Sequence, residues 1–298
     1  MARGYAFRFC FVYFALWCAA TQVLGGIALT PLGALPALGP LWPMRAITEW
    51  TARNLFGVAT RFETGNSGDT LFYWTQTFWL VCASLAGAAV WSWLGRGTQD
   101  EAALRRWFRL FLRFALASQM FYFGMAKVVP TQFVPPALTT LVQPIGNMGL
   151  SNLLWIFMGS STPYQVFTGC AEVAAGLLLL SPRTTPLGAL IALADITQVF
   201  ALNMAYDVGL KQIAFHFIVM ALLLLAPDAR RLASALVRSE ERVHWPQVAF
   251  GLYLLATFTS LQVAQWRAPE GPAHPRSALY GIWDIDELSV DADVHPAV

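Results

Sequence analysis

The feature that most constrains this chain is a series of long apolar segments separated by shorter polar connections. The hydrocarbon core of a bilayer is roughly 30 Å thick, and a helix of about 20 apolar residues crosses it. Lipid offers no partner to a backbone N–H or C=O group, so each crossing segment has to be helical. Seven segments meet or approach this length: Phe7–Leu29, Leu71–Leu94, Trp107–Val129, Pro163–Ser181, Leu187–Tyr206, Gln212–Ala226 and Pro246–Ala264. The sequence therefore predicts an all-α, polytopic membrane helix bundle with about seven spans.

The composition argues against a water-soluble enzyme. Of the 298 residues, 57% are hydrophobic and 12% are charged, whereas roughly 25% of the residues of a soluble domain are charged. The 19 basic and 17 acidic residues leave a net charge of +2, which gives no reason to expect a nucleic-acid partner. The partner that the composition predicts is the lipid bilayer.

The positions of Lys and Arg predict the orientation of the spans, because cytoplasmic loops carry an excess of them. With the N-terminus in the cytoplasm, the inner segments hold ten basic residues and the outer segments six. The outer loop Pro130–Thr162 holds none. We therefore predict an N-terminus inside and a C-terminus outside. The first span is longer than the apolar region of a signal peptide, and no clear cleavage site follows it, so we expect it to be retained.

Two connections carry patterns of their own. Residues 1–106 combine two spans with a long outer connection, in which Met44–Arg61 mixes apolar and charged positions like an amphipathic helix on the membrane surface. The outer loop Pro130–Thr162 is rich in Pro and polar residues, and its run Ser151–Met158 is a candidate partial membrane element. This loop is interpreted either as a lid over a cavity in the bundle or as a loop at headgroup depth.

A turn of small polar residues, Thr64–Thr70, precedes the second span. Such a turn binds a cation or phosphate in some proteins, but it lacks the spacing of the known loops of that kind. We favour a turn in which Asp69 or Thr70 caps the second span.

The C-terminal part divides into residues 229–266, with an inner loop and the last span, and residues 267–298, an outer tail. Within the tail, Ala278–Val290 alternates apolar and polar residues and predicts a short β-like strand or hairpin. The tail begins with a segment, Arg267–Pro275, that is rich in Pro and Gly and is typical of a linker.

Cysteine and histidine patterns give no support for a metal or dithiol site. All four cysteines lie within predicted spans and none forms a C-x-x-C pair. Among the four histidines only His216 is within a span, and no second histidine lies at helical spacing from it. The sequence also shows no catalytic constellation, which leaves open whether the protein is an enzyme.

Ionisable and polar residues within spans are the strongest functional signal, because lipid makes them costly unless they are paired or face a cavity. Glu172 lies about 13 Å into the fourth span at 1.5 Å per residue. Asp195 lies in the fifth span. The full set of intramembrane candidates is Lys127, Arg113, Glu172, Asp195, Asn203, Asp207 and His216.

Two interpretations of these residues are open. In the structural one, Arg113 pairs with Asp195, and Lys127 pairs with Glu172 or Asp207. In the functional one, a polar cavity that opens outward moves protons or holds a polar head group. Its lining would be Glu172, His216, Asp207 and Lys127.

Several short motifs lie in the central block, residues 107–228. They are Phe121–Lys127, Gly169–Glu172, Gly176–Leu180, Arg183–Thr185 and Leu225–Asp228. On these motifs the block resembles the DoxX family of bacterial membrane proteins. Further motifs are similar to a larger DoxX-like subgroup: Gly65–Thr70, Thr131–Phe133, Leu154–Gly159 and Asn203–Asp207.

The resemblance implies a four-helix DoxX-like core over residues 107–228 and a location in the bacterial inner membrane. It also implies an accessory subunit of a quinone- or sulfur-linked membrane redox system, with a redox partner subunit and a quinone as the cofactor to test. Lys127 and Glu172 match a recurrent Lys and Glu of the family, which carry no assigned role. Two features of the chain depart from the family. No cysteine is placed for sulfur chemistry, so thiosulfate oxidation is not expected. The resemblance also implies that longer members continue past Gly281–Asp284 into a further outer domain, so the outer tail 267–298 is a candidate for a shortened form of that domain. A small-solute or lipid transporter and a membrane assembly factor or chaperone are the alternatives.

Overall fold

A computed structural model describes residues 2–27, 29–30, 33–63, 68–94, 101–237, 245–268, 288–290 and 293–295. Its helices are α1 Ala2–Ala20, α2 Val23–Ile27, α3 Met44–Leu55, α4 Leu71–Leu94, α5 Glu101–Val128, α6 Leu138–Leu141, α7 Leu150–Gly159, α8 Thr162–Leu180, α9 Thr185–Ala205, α10 Lys211–Leu225, α11 Ala229–Val237 and α12 Trp245–Arg267. Short 3₁₀ helices span Ile145–Asn147 and Ala226–Asp228. Two short antiparallel ladders pair β1 Leu29–Thr30 with β2 Gly33–Ala34, and β3 Leu288–Val290 with β4 Asp293–His295.

The chain divides into two compact units, Met1–Ala233 and Ser234–Val298. Within the described residues of the second unit, α12 is a single long apolar helix and β3 and β4 form a small hairpin. The hairpin lies at the end of the stretch that alternation predicts to be β-like. Residues 278–287 of that stretch lie outside the described residues.

The protein is a multi-pass membrane protein built from helices. Within the part that the structure describes, five helical segments are long and apolar enough to cross a membrane: Leu71–Leu94, Thr162–Leu180, Thr185–Ala205, Lys211–Ser234 and Val248–Gln265. The apolar part of α1, Gly4–Ala20, is shorter. The predicted third span lies on α5, and the charged residues of α5 lower its mean hydropathy. The number of seven spans therefore remains a prediction.

Four helices of the first unit pack in a closed ring: α5 on α8, α8 on α9, α9 on α10, and α10 on α5. We call this the four-helix ring, and we call its distal end the end where α5 and α9 finish and α8 and α10 begin. Outside the ring, α1 packs on α4, α2 on α5 and α3 on α4. The core between these layers is rich in aromatic and large aliphatic side chains, such as Trp17, Leu116 and Met120.

The contact between α5 and α8 is close because glycines face each other across it. A Cβ atom added to Gly169 would lie 2.7 Å from the backbone oxygen of Gly124 and 2.7 Å from Cβ of Lys127. A Cβ atom added to Gly124 would lie 3.0 Å from the backbone oxygen of Gly169. Small residues that let backbones touch are the usual means of packing helices in membranes, where burial of apolar surface gives little driving force.

The amphipathic helix predicted over Met44–Arg61 is shorter than expected, because α3 ends at Leu55. The physical reason is Gly57, whose φ of +66° is the left-handed conformation that ends helices. The N–H group of Val58 then donates to the oxygen of Ala52 at 3.1 Å. The side of α3 that is buried carries small residues, and Trp50 stays exposed.

The polar turn before the second span contributes a cap to a helix that is distant in sequence. Residues 64–67 lie outside the described residues, but Asp69 is described. Its carboxylate accepts hydrogen bonds from the backbone N–H groups of Lys211 and Gln212 at 2.7 and 2.9 Å. Asp69 therefore caps the start of α10. A helix N-terminus has unpaired N–H groups, and a carboxylate that is distant in sequence satisfies two of them here.

Candidate functional site

The centre of the candidate site is an ion pair between α5 and α8. Nζ of Lys127 lies 2.7 Å from Oε1 and 2.8 Å from Oε2 of Glu172. Both residues are buried, with 6% and 3% of their surface exposed. Glu172 lies one helical turn after Gly169, so the close glycine contact brings the Lys127 stem directly against the face that carries Glu172. Of the two partners weighed for Lys127, the structure selects Glu172 and not Asp207.

Asp195 is the third charged residue of this cluster. It lies at the midpoint of α9, and its carboxyl group is within hydrogen-bonding range of the Glu172 carboxyl group and also feels the charge of Lys127. One of its oxygens, Oδ2, is buried and has no hydrogen-bond partner. Three helices of the ring therefore each contribute one charged side chain to one place near its middle.

The predicted pairing of Arg113 with Asp195 is wrong. The Arg113 guanidinium donates instead to the backbone oxygens of Leu179 and Leu180, at 2.9 and 2.6 Å. These carbonyls end α8 and have no partner within the helix, and the negative end of the helix dipole favours a cation there. Arg113 thus caps α8 at the end of the ring opposite Lys127.

A cavity of about 130 Å³ opens beside the cluster, and we call it the inner cavity. Lys127, Glu172 and Asp195 all belong to its wall. Most of the remaining wall is apolar, and it includes Phe123, Phe133, Leu154, Trp155, Met158 and Phe217. The other polar side chains of the wall are Gln132, Tyr164, Thr168, Gln198 and Asn203. The inner cavity is thus an apolar chamber with one strongly charged side.

Part of the outer loop covers the inner cavity. Leu154 and Met158 of α7 pack with Phe133 and Val208 in a small apolar cluster. All four of these residues also line the inner cavity. The buried amide of Gln165 on α8 holds this segment, since in the orientation that satisfies it the amide donates to the oxygen of Phe133 at 2.9 Å and accepts from its N–H at 3.1 Å. We call residues 133–159 the cover segment. Phe133, Leu154, Trp155 and Met158 of the cover segment line the inner cavity, whereas Leu138, Val142 and Ile145 are exposed, so both interpretations of this loop stay predictions.

A larger cavity of about 700 Å³, the outer cavity, adjoins the inner one. Phe123, Gln132, Trp155, Val208, Leu210 and Ile213 belong to the walls of both. The outer cavity extends to residues of α1 and α4, among them Trp17 and Tyr73. Among the described residues, three buried side-chain atoms have no hydrogen-bond partner: Oδ2 of Asp195, Oε1 of Gln132 and Nε2 of Gln212. Each of these residues lines one or both cavities.

His216 is not in the wall of either cavity. Its Nδ1 lies 2.6 Å from the backbone oxygen of Gln212, and its Nε2 lies 2.6 Å from the hydroxyl of Tyr13. Its ring stacks on Trp17 with centroids 4.2 Å apart. Both ring nitrogens are therefore occupied by protein groups, and the predicted contribution of His216 to a polar cavity does not match this position.

Asp207 and Asn203 lie at the distal end of the ring. Asp207 is exposed, with a φ of 51°, and its carboxylate lies 2.8 Å from Nζ of Lys211. The Lys211 ammonium lowers the pKa of Asp207 below its usual value. Asp207 is not part of the wall of the inner cavity, whereas Asn203 is, and its amide donates to the oxygen of Leu210 at 3.3 Å.

The sequence pattern does not reveal several residues that shape the site. Gln165 and Tyr13 were not predicted, and for Asp69 the sequence did not reveal its contact with α10; all three residues contact segments distant along the chain. The position of Gln165 within an apolar helix could have indicated a buried contact, because an amide without hydrogen-bond partners costs free energy in lipid or in a protein core. Among the described residues, no group of three His, Cys, Asp or Glu side chains is placed to hold a metal ion.

Comparison with known proteins places the chain in a family without assigning an activity. Over 138 residues, 46% of this chain, it is 33% identical to the uncharacterized protein YwoB of Bacillus subtilis (strain 168), and the match covers 88% of that protein. The chain therefore belongs to the same family as YwoB. No family model matches the chain. No solved structure matches it.

Proposed function

We propose that this chain binds a lipophilic molecule with a polar head in the inner cavity, as a DoxX-like accessory subunit of a quinone- or sulfur-linked membrane redox system. The observation that carries the proposal is the cluster of Lys127, Glu172 and Asp195 in the wall of an otherwise apolar cavity. Buried charges cost free energy unless they are paired, and replacement by apolar residues is often neutral or stabilising. Charged residues within a membrane segment therefore indicate a functional site by default.

The cavity wall has the two features that a quinone head needs. Its aromatic and aliphatic residues provide a surface for a ring. Lys127 uses two of its N–H donors on Glu172, and a third remains on an ammonium group for a carbonyl oxygen. Asp195 Oδ2 accepts a hydrogen bond from a reduced, hydroxyl-bearing head. When bound, such a molecule would supply two-electron redox chemistry, and the residues of the chain would hold and orient it.

The proposal is tested by identifying what the protein carries. Full-length protein purified in mild detergent or native nanodiscs is extracted with organic solvent, and the extract is analysed by mass spectrometry beside an extract of the same membranes. We expect a quinone-type or other lipophilic molecule enriched at least ~10-fold per protein, and reduced in Asp195→Asn. Asp207→Asn serves as the control because Asp207 lies outside the cavity wall. An extract with the composition of bulk lipid would contradict the proposal.

The redox role needs a separate test, since a ligand alone does not show it. Cross-linking in intact membranes followed by affinity purification is expected to recover a membrane oxidoreductase subunit in stoichiometric amount. Recovery of the chain alone at every cross-linker concentration would remove the accessory-subunit role while leaving the ligand proposal intact.

A small-solute or lipid transporter is a second candidate, and the observation that favours it is the adjoining outer cavity. Together the two cavities extend from the middle of the four-helix ring towards residues of α1 and α4. A charged cluster at the middle of a bundle is also where transporters place their coupling ions. Uptake of a proton or solute by proteoliposomes, absent from Glu172→Gln, would favour this candidate over the accessory subunit. The assembly-factor alternative would instead predict co-purification with an unassembled client.

We also propose that the protein lies in a bacterial inner membrane with its N-terminus in the cytoplasm. The distribution of Lys and Arg supports this orientation. Reporter fusions after residue 100 and after residue 268 distinguish it from the inverted arrangement. The first fusion should report the cytoplasm and the second the outside.

A further inference from the structure

We propose that the inner cavity selects ligands whose polar head donates hydrogen bonds, a hydroxyl or an ammonium group, over ligands whose head only accepts them. This inference rests on the proposed role of the inner cavity as a ligand site, and it names the chemical class of the ligand. It follows from which polar atoms of the wall are satisfied by the protein and which are left open.

The open atoms of the inner cavity are oxygens. Oδ2 of Asp195 and Oε1 of Gln132 are buried without hydrogen-bond partners, and both residues line the cavity. An unpaired polar atom that has lost its water costs roughly 1–3 kcal/mol, so a bound molecule that donates to it recovers that free energy. Gln212, whose open atom is a nitrogen, belongs to the outer cavity and not to the inner one.

Two of the donor groups in the wall already donate to protein atoms. Lys127 donates to both carboxylate oxygens of Glu172, and the Asn203 amide donates to the oxygen of Leu210. A ligand that only accepts hydrogen bonds would therefore compete for the remaining Lys127 proton and leave Asp195 unsatisfied. A ligand that donates would satisfy Asp195 and leave the ion pair intact.

The protonation of the carboxyl pair does not reverse this preference. With Lys127, Glu172 and Asp195 all charged, the cluster carries a net charge of −1, which an ammonium head would neutralise. If Glu172 and Asp195 share one proton, the cluster is neutral and that proton lies between them. The second oxygen of Asp195 then still accepts, and a neutral hydroxyl head fits. The two kinds of head thus share one hydrogen-bond chemistry and differ only in charge.

The size of the cavity limits the part of the ligand that it holds. A dry, apolar cavity of about 150 Å³ accommodates benzene, and the inner cavity measures about 130 Å³. A single ring with a one- or two-atom head is therefore the right scale for a probe. Any longer apolar tail would extend into the adjoining outer cavity.

A matched probe series tests the inference with the full-length protein in nanodiscs. Toluene, benzaldehyde, benzyl alcohol and benzylammonium have the same ring and differ in the head group. Their dissociation constants are measured by titration calorimetry against nanodiscs without protein. We expect benzyl alcohol or benzylammonium to bind at least ~10-fold tighter than benzaldehyde, and the tighter of the two donors identifies the charge of the favoured head.

Two variants test whether the preference for donating ligands depends on Oδ2 of Asp195. Asp195→Asn replaces a carboxylate with an amide that also donates, so the ratio between benzyl alcohol and benzaldehyde should fall towards one. Asp207→Asn should leave the ratio unchanged. Equal or tighter binding of benzaldehyde to the unchanged protein would overturn the inference while the proposed ligand site stands. Failure of all four probes to bind would overturn both.

Discussion

The hydroxyl of Tyr13 lies 2.6 Å from Nε2 of His216, and this buried contact joins α1 to the four-helix ring. The other nitrogen of His216 faces the backbone oxygen of Gln212, which only accepts, so Nδ1 carries the hydrogen. In the neutral imidazole, Nε2 then accepts from Tyr13. His216, one of the residues predicted to line a polar cavity, is thus held on both sides as a structural link.

Tyr13→Phe should destabilise the protein, because it leaves Nε2 of His216 buried without a donor. The expected loss is about 1–3 kcal/mol, read as a lower midpoint of thermal unfolding in detergent. Tyr253→Phe is the control, since Tyr253 is exposed. Equal midpoints for the two variants would show that the hydroxyl makes no net contribution.

Removing Lys127 alone should cost more than removing both members of the Lys127–Glu172 pair. Lys127→Met leaves the Glu172 and Asp195 carboxyl groups without a buried cation, at a cost of roughly 3–5 kcal/mol. The double variant should recover part of this loss, because it leaves one buried carboxyl group, that of Asp195, instead of two. A stable double variant that no longer binds the probes would separate the structural role of the pair from the ligand role. Additive losses would instead argue that the two residues act independently.

Gly169→Ala should separate α5 from α8 and lengthen the Lys127–Glu172 contact. The added Cβ meets backbone atoms of Gly124 and Val128, which cannot move aside as a flexible side chain would. We expect a lower unfolding midpoint and weaker probe binding together. Gly251→Ala is the matched control, because nothing lies within 4 Å of a Cβ there. Its effect should be neutral or slightly stabilising, given the helix propensity of Ala.

Asp69→Ala should loosen the start of α10. The substitution removes two hydrogen bonds to the backbone N–H groups of Lys211 and Gln212, and loss of such a cap typically costs about 0.5–2 kcal/mol. Hydrogen exchange should rise at the first turn of α10 and stay unchanged in α4. Faster exchange at the start of α4 in this variant would instead show that Asp69 also caps α4, as the sequence predicts.

Gln165→Leu should release the cover segment without changing the charged cluster. The two backbone groups of Phe133 would lose their partner, so exchange should rise at Phe133 and in α7. Probe association and dissociation should both accelerate, while the dissociation constant changes little. Gln198→Leu is a useful comparison, because Gln198 lines the inner cavity but is not the residue that pairs with Phe133.

The apolar segments predict most of the helices, because a membrane permits few other structures. The sequence left two partners open for Lys127, Glu172 and Asp207, and the structure shows the pairing with Glu172. Arg113 was assigned the wrong partner for a physical reason: the unpaired carbonyls at the end of α8 are backbone groups, and no residue type marks them. Opposite charge and similar depth in the membrane therefore selected Asp195, whose actual neighbours are Glu172 and Lys127.

Contacts across long sequence separations account for most of what the sequence could not reveal. Asp69 caps a helix that begins 142 residues later, and Tyr13 reaches a histidine 203 residues away. Local rules connect a capping residue to the helix that follows it, so they pointed to α4. The cavities likewise form because the helices close into a ring. The periodicity of one segment does not specify how the helices pack, so it could not predict the cavities.

The Gln165 contact has an evolutionary consequence. Its amide binds the N–H and C=O groups of Phe133, which every residue except proline provides, so the contact places almost no demand on the side chain at position 133. Position 165, by contrast, needs an amide of this length. Among relatives that keep the cover segment, residue 133 is therefore free to drift among apolar types, whereas a change at 165 should be accompanied by a rebuilt loop.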